Sequence, residues 1–512
     1  IPPPSLPRRR RRSAPGSPPP PPPFYSRFAD AAADLLKVCR RRCRRCSAPV
    51  SPTPPLIRSR RSLESRSGMS GGMRQILNLG LYDGRKRAYS LRRLNLSKMN
   101  FFHPTAEEAA AHGKVLPTLA LDKARKINRK RICNTKLATA EAAAPKMDMP
   151  KSDLVMGPPQ ISPCLQSRRF VHFFPTASES KVILGDRGNR MLRFNIVDGS
   201  RYMDTLPCLH GVKEMPMVIS VPPTDVHLPD GEDTGDLYII DGLLHPHRAE
   251  VRPQFEALVW RGFPKSAVSS RFWHCDILPL PPWISHHRHG MVFGHALVDN
   301  SICFSICGAE GAGTYCFHIA TREWSKAGDW LMPFNGKADY VPELGLWFGI
   351  TQANVPCAAD LSGLLRGEEL SPDKMRIWER DDLPEEWQPK SLHNSCAVSL
   401  GSGRFIIVDF LDLMKFDKEW NEMSPVKEFA LFTGMELAFS NGKGKNGRNG
   451  ASKDNGHHSS GTDCSGNESC NCSVSGNENG GKGKGVMRGL RVIKHKSRRY
   501  MFKKQLRIEA VL

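Results

Sequence analysis

Between residues 164 and 440 one pattern recurs, and it confines the chain to a narrow set of folds. A run of apolar residues ends near an aspartate, a turn follows, and an alternating strand then closes on an aromatic after a second polar turn. Lys181-Val182-Ile183-Leu184-Gly185-Asp186, then Met191-Leu192-Arg193-Phe194-Asn195-Ile196 and Tyr202, is one instance. Ala296-Leu297-Val298-Asp299-Asn300-Ser301-Ile302, then Tyr315-Cys316-Phe317-His318-Ile319 and Trp324, is another, with further first strands at residues 236–241, 344–350 and 404–409. Corresponding starts recur roughly every 40–55 residues, the spacing of four-stranded propeller blades.

A blade's sheet is apolar on both faces because it stacks against two neighbours, while its outer turns are wet. The aromatic that follows Thr321-Arg322-Glu323 or Asp198-Gly199-Ser200 is therefore expected between adjacent blades. Almost no helical periodicity separates the strands, which excludes a parallel α/β sheet. A pair of β-sandwiches is the competing all-β arrangement. The reading is an all-β chain whose main body is a β-propeller of about six blades over residues 164–440.

The flanks read differently. Gln75-Ile76-Leu77-Asn78-Leu79 and Tyr89-Ser90-Leu91-Arg92-Arg93-Leu94 alternate around Asp83-Gly84, the pattern of a β-hairpin within residues 69–99. Residues 100–163 form a basic linker with two short helical patterns, and residues 441–487 are rich in Gly, Asn, Ser and Lys, which cannot build a core. The strand pattern resumes in residues 488–512, at Leu490-Arg491-Val492-Ile493, Tyr500-Met501-Phe502 and residues 508–512. These last strands are expected to pair back and close the propeller with the N-terminal ones. The Pro/Arg-rich segment 1–68 begins with Ile and has the composition of a disordered leader. It reads as translated upstream sequence before a start at Met69 or Met73, with a targeting arm as the alternative.

The net charge of +23 suggests an anionic partner until it is located. Segment 1–68 holds 16 basic and 3 acidic side chains and segment 69–150 holds 16 and 6, which accounts for the whole excess; residues 151–512 hold 42 of each. Nucleic-acid affinity, if any, belongs to the N-terminal arm. Fifteen cysteines show no framework spacing, and several sit in apolar runs such as Ser301-Ile302-Cys303-Phe304-Ser305-Ile306-Cys307, as small hydrophobes of a reducing compartment do. No stretch offers the ~18 apolar residues of a membrane-spanning helix; the richest, residues 405–414, is broken by Asp409 and Asp412. A cytoplasmic or nuclear monomer is expected.

An ordered series of segments resembles a known family. It comprises Tyr89-Ser90-Leu91-Arg92-Arg93, Cys275-Asp276-Ile277-Leu278-Pro279-Leu280-Pro281-Pro282, Gly313-Thr314-Tyr315-Cys316, Trp324-Ser325-Lys326, residues 340–350, Pro384-Glu385-Glu386-Trp387, residues 400–405, Thr433-Gly434-Met435-Glu436 and His495-Lys496-Ser497. Together, over about residues 73–512, they are similar to the plant, grass-expanded "domain of unknown function 1668" family. The resemblance implies a kelch-like propeller and carries over no catalytic residues.

Several constellations invite chemistry, and each has a plainer reading. Cys39, Cys43 and Cys46 have cluster-ligand spacing but are separated only by arginines. Residues 476–482 fit G-x-x-x-x-G-K, yet Gly483 stands where Mg²⁺ binding needs Ser or Thr. Cys464, Cys470 and Cys472 with His457 and His458 have the wrong gaps for a zinc knuckle. His286, His287 and His289, near His274 and His295, occupy a Pro/Gly-flanked loop without a carboxylate at ligand spacing. Lys123-Ala124-Arg125-Lys126 and Arg129-Lys130-Arg131 suit phosphate contact but lack interleaved aromatics. Residues 28–38 only faintly echo an F-box helix. No catalytic, cofactor or metal residue is assigned. The function expected is a non-catalytic protein-interaction scaffold, with a protein partner held by propeller loops. A propeller enzyme with a central-channel site and an adaptor steered to nucleic acid by the basic arm are the alternatives.

Overall fold

Alternation within each strand decides the architecture, because successive side chains leave opposite faces of a sheet. In the computed structural model, the described residues are 73–157, 171–439 and 487–512, apart from 110, 112–136, 139, 187, 198–199, 223–234, 246–251, 263–270, 282–289, 309–311, 380–382, 391–394, 418–421, 488 and 504. Met69–Pro389 and Ser395–Leu512 form one compact unit.

Its strands fall into six antiparallel sheets among the described residues. The first holds β1 (Ile76–Asp83), β2 (Ala88–Asn95) and β3 (Ser152–Met156). The second holds β4 (Val171–Phe174), β5 (Lys181–Asp186), β6 (Met191–Val197) and β7 (Ser200–Leu206). The third holds β8 (Pro216–Val221), β9 (Asp236–Asp241), β11 (Phe255–Gly262) and β12 (Arg271–Ile277), with the two-residue β10 (Leu243–Leu244) reaching over to pair with β13. The fourth holds β13 (Gly290–Val298), β14 (Ser301–Cys307), β15 (Gly313–His318) and β16 (Glu323–Gly328). The fifth holds β17 (Gly336–Val341), β18 (Leu346–Ile350), β19 (Pro356–Ala359) and β20 (Met375–Ile377), and a short parallel pairing of β13 with β17 ties it to the fourth. The sixth holds β21 (Trp387–Pro389), β22 (Cys396–Gly401), β23 (Arg404–Asp417), β24 (Glu422–Phe439) and β25 (Leu490–Met501). The last strand, β26 (Leu506–Val511), leaves the sixth sheet and pairs antiparallel with β1, with Leu81 opposite Ile508.

Six apolar clusters join these sheets pairwise. Tyr89 and Leu91 of the first pack with Phe173, Val182 and Leu184 of the second. On the other face of β5, Ile183 packs with Val218, Leu237 and Ile239 of the third. Tyr238, Ile240 and Phe255 then meet Phe304 and Phe317 of the fourth, and Ala296 and Cys303 meet Trp347 and Cys357 of the fifth. Leu346 and Phe348 meet Phe405 and Ile407 of the sixth. Finally Ile406, Val408 and Phe432 pack on Leu77, Leu79 and Ile508 of the first. Each sheet is thus greasy on both faces, and the chain of contacts returns to its start. That cycle is a β-propeller, and it excludes a pair of sandwiches, in which each sheet would bury one face.

Local chemistry supports the register. The β1–β2 turn falls where Asp83-Gly84 places it: Asp83 Oδ1 accepts from Arg85 N at 3.0 Å and Lys86 N at 3.3 Å. Trp324 lies between sheets as expected, against Phe255, Phe304 and Phe317, donating its indole N–H to Pro279 O at 2.8 Å. Tyr202 does not: on edge strand β7 the residue is 46% exposed. Ser152–Met156, in the stretch expected as linker, is a strand that pairs with β2. The buried Cys303, Cys307, Cys316 and Cys357 serve as small core residues, and no helix among the described residues is long and apolar enough to cross a membrane.

Adjacent sheets approach so closely at Gly80 that a Cβ there would lie 2.4 Å from the Phe173 ring. Gly80→Ala is expected to cost about 1–3 kcal/mol in urea unfolding as Phe173 is displaced. Gly157→Ala, with nothing within 4 Å of its Cβ position, should stay within about 0.5 kcal/mol of the parent. Equal effects from both would contradict the close approach.

Candidate functional site

The segment between β7 and β8 carries the chain from the second sheet to the third, and a buried acid holds it. Glu256 is the second residue of β11, directly after Phe255, which faces the fourth sheet, so it shares with Leu258 the face turned toward the second sheet. Its side chain is fully buried. Oε2 accepts from His210 N at 2.7 Å and lies 2.8 Å from His210 Nδ1; Oε1 accepts from Gly211 N at 3.0 Å and from the Lys213 ammonium. Lys213 spends its other two N–H bonds on Gly211 O at 2.8 Å and Pro253 O at 3.0 Å, so all three donors of the charged form are used. Gly211 is required here, since a Cβ would come within 2.3 Å of Pro253 O. At the far end of the same connection, buried Asp241 accepts from Glu214 N at 3.2 Å and Met215 N at 3.1 Å.

Cys275, on β12 beside β11, completes the group. Its Sγ lies 3.4 Å from Glu256 Oε2 and 3.6 Å from His210 Nδ1. His210, Glu256 and Cys275 form the one His/Cys/carboxylate group of metal-ligand proximity among the described residues, with ligand atoms within 4.8 Å of one another. Burial would raise the Glu256 carboxyl, but the Lys213 charge and hydrogen bond and the His210 bonds outweigh it, and the group titrates below its ordinary value. Burial pulls the Lys213 ammonium down, against the pull of Glu256. Burial first, and then the Glu256 charge, push the Cys275 thiol up to about 12. A resting thiolate nucleophile is therefore not what this arrangement supplies. Nor is there a relay, because thiol and carboxylate both approach His210 at Nδ1.

A second feature is the β23–β24 hairpin. β25 covers β24 only from Phe429 onward, and β21 covers β23 only through Leu413. Its root is packed by Trp387, Leu411, Phe429 and Leu431, with Trp387 edge-on to Phe429 at 5.0 Å. Beyond the root no strand among the described residues pairs with it. There Phe416 and Met423 stand directly opposite each other, 51% and 37% exposed, beside Val426 at 52%.

Of the sequence candidates, His274 lies on outer strand β12 and His295 on β13, and neither belongs to the ligand group. His295 is buried against Phe304, and neither ring nitrogen has a hydrogen-bond partner among the described residues. The remaining candidates lie outside the described residues: Cys39, Cys43, Cys46, residues 28–38, both basic runs, His286, His287, His289, His457, His458, Cys464, Cys470, Cys472 and residues 476–482. Sequence reading missed His210, Lys213, Asp241 and Glu256. The available signal was an acid inside the apolar run Phe255-Glu256-Ala257-Leu258-Val259.

The family described as "Protein of unknown function (DUF1668)" matches residues 74–500, and the chain belongs to that family. No curated protein matches the chain in sequence. Among solved structures it is similar to the WD40 domain of SCAP from fission yeast, at 9% identity and a TM-score of 0.27, over 56% of this chain and 66% of that one. It is also similar to the Myceliophteria thermophila Cps50 (Swd1) β-propeller domain, at 10% identity and a TM-score of 0.24, over 50% of this chain and 77% of that one. The chain thus spans just under two thirds of the SCAP domain. The propeller assignment rests on the sheets themselves.

Two outcomes follow for this region and for His295. Glu256→Gln leaves the buried Lys213 ammonium without its counter-charge, and about 3–5 kcal/mol of stability should be lost in urea unfolding; a loss under about 1 kcal/mol would contradict the clamp. Burial lowers the His295 pKa from 6.5 to about 3. Below pH 6.5 the unfolded chain takes up a proton that the folded one refuses, so stability falls as pH drops toward 3, by about 1.4 kcal/mol per unit. His295→Leu should flatten that slope by this amount, measured as unfolding midpoint against pH.

Proposed function

We propose that this member of the DUF1668 family is a non-catalytic scaffold that holds a partner protein on its projecting β23–β24 hairpin. The exposed Phe416–Met423 pair carries the reading. Strand edges that end in apolar side chains invite pairing with other chains and are normally blunted or covered, so their presence on a rooted hairpin supports a binding role. Covering Phe416, Met423 and Val426 supplies about 1.5–3 kcal/mol per side chain fully buried. The occupant is a protein with an apolar contact surface that covers Phe416, Met423 and Val426. The described ionisable cluster favours a structural over a catalytic role, since Cys275 is held as a thiol and Glu256 is committed to the 210–213 connection.

The test is co-purification with the full-length chain and with Phe416→Asp/Met423→Asp, followed by reconstitution from purified components. The expected result is one stoichiometric protein partner whose affinity falls by about 2–4 kcal/mol in the double variant, the unfolding midpoint being unchanged. A partner indifferent to both substitutions would overturn the reading. So would salt-sensitive retention of nucleic acid alone, which points to the basic arm.

A further inference from the structure

The Glu256 clamp accounts for Lys213 and the backbone of residues 210 and 211, but it gives the His210 ring and Cys275 no evident task. Both converge on the carboxylate oxygen that Lys213 does not use, Oε2, from two different parts of the third-sheet region. We propose that His210 Nδ1, Glu256 Oε2 and Cys275 Sγ form a three-ligand site for a divalent transition-metal cation of the zinc class, with a fourth position open to solvent.

The geometry argues for it. Zinc binds imidazole nitrogen and carboxylate oxygen near 2.1 Å and thiolate sulfur near 2.3 Å, so tetrahedral placement separates N from O by about 3.4 Å and S from either by about 3.6 Å. The three atoms stand 2.8 Å (N to O), 3.6 Å (S to N) and 3.4 Å (S to O) apart. Two edges already match, and the third opens by rotation of the His210 side chain, which is 48% exposed. That exposure also leaves the remaining coordination position facing solvent.

The donor set and its support are equally suited. Thiolate, imidazole and carboxylate together are the ligands of zinc-type cations rather than of Ca²⁺ or Mg²⁺, which take oxygen. Binding exchanges the Cys275 thiol proton, released to solvent, for the cation; with Lys213 still paired to Glu256, the cation, thiolate, carboxylate and ammonium sum to one net positive charge, carried at the half-exposed His210 end of the site. Outer partners that aim a ligating carboxylate are already present: Gly211 N and Lys213 hold Oε1, and His210 N holds Oε2 on its second lone pair. The cation would join the connection at residue 210 to strands β11 and β12, and so fasten the crossing between the second and third sheets.

The experiment is a titration of the full-length, chelator-treated protein with Co²⁺ alone. The parent is expected to develop tetrahedral visible bands and a thiolate-to-cobalt charge-transfer band that one equivalent of Zn²⁺ abolishes. Cys275→Ser should lose the charge-transfer band. His210→Ala, altered at a half-exposed side chain, should bind roughly tenfold or more weakly. Because cysteines and histidines elsewhere in the chain can also take up Co²⁺, the difference between parent and variants is the signal. A thermal melt with and without Zn²⁺ gives a second reading: the parent midpoint rises, and that of His210→Ala does not. Identical cobalt spectra in all three proteins, or no tetrahedral band in the parent at stoichiometric cobalt, would overturn the site whatever the outcome at the hairpin.

Discussion

Face-to-face packing between neighbouring sheets is the interaction on which everything else here depends. An antiparallel sheet of four or five strands with two apolar faces is insoluble alone, and the described residues form six of them, two tied by the parallel β13–β17 pairing. Each solves its neighbour's problem: Val182 and Leu184 turn toward the first sheet while Ile183 between them turns toward the third. Phe405 and Ile407 turn toward the fifth while Ile406 and Val408 turn toward the first. Such a stack has exposed ends unless it closes, and β26 against β1 closes it. Tryptophans reinforce the seams. Trp347 donates its indole N–H across to Leu297 O at 2.8 Å, as Trp324 does to Pro279 O.

Polar chemistry enters where this packing must be interrupted. The chain has to cross from the outer strand of one sheet to the inner strand of the next, and its backbone then needs partners that no strand supplies. At the 207–215 crossing the solution is two buried carboxylates, Asp241 and Glu256, which take four backbone N–H groups between them. Once a charged acid has been brought so deep, the ammonium of Lys213 is needed to keep it ionised. The same crossing brings the His210 imidazole to the acid, and neighbouring strand β12 brings the Cys275 thiol, so a structural requirement and a metal-ligand geometry coincide at one place.

Much of the fold was legible because period-two alternation is a local property. Residues 236–241 and 181–186 are strands where the pattern puts them, and the Asp83-Gly84 turn follows from turn chemistry alone. Ser152–Met156 was hidden because its burial is weak, as befits an edge strand. Tyr202 and Trp324 follow similar turns, yet Tyr202 stays exposed on its edge strand while the Trp324 indole packs on Phe255 and reaches the Pro279 carbonyl just beyond β12 of the neighbouring sheet. The candidate site was not legible. His210 is 46 residues from Glu256, and an acid in an apolar run reads as an interruption until its partners are seen. Asp409 and Asp412, which disqualify residues 405–414 as a membrane-spanning stretch, are compatible with a strand, and β23 runs through both; Asp409 accepts from Ser395 Oγ at 2.5 Å.

Closure of the ring is the central claim, and hydrogen–deuterium exchange resolved by peptide tests it most directly. If β26 is paired with β1 as described, the amides of 506–511 and 79–83 are both protected and lose protection together as denaturant is raised. Rapid exchange of 506–511 at the rate of an unstructured chain, with 76–95 still protected, would contradict it.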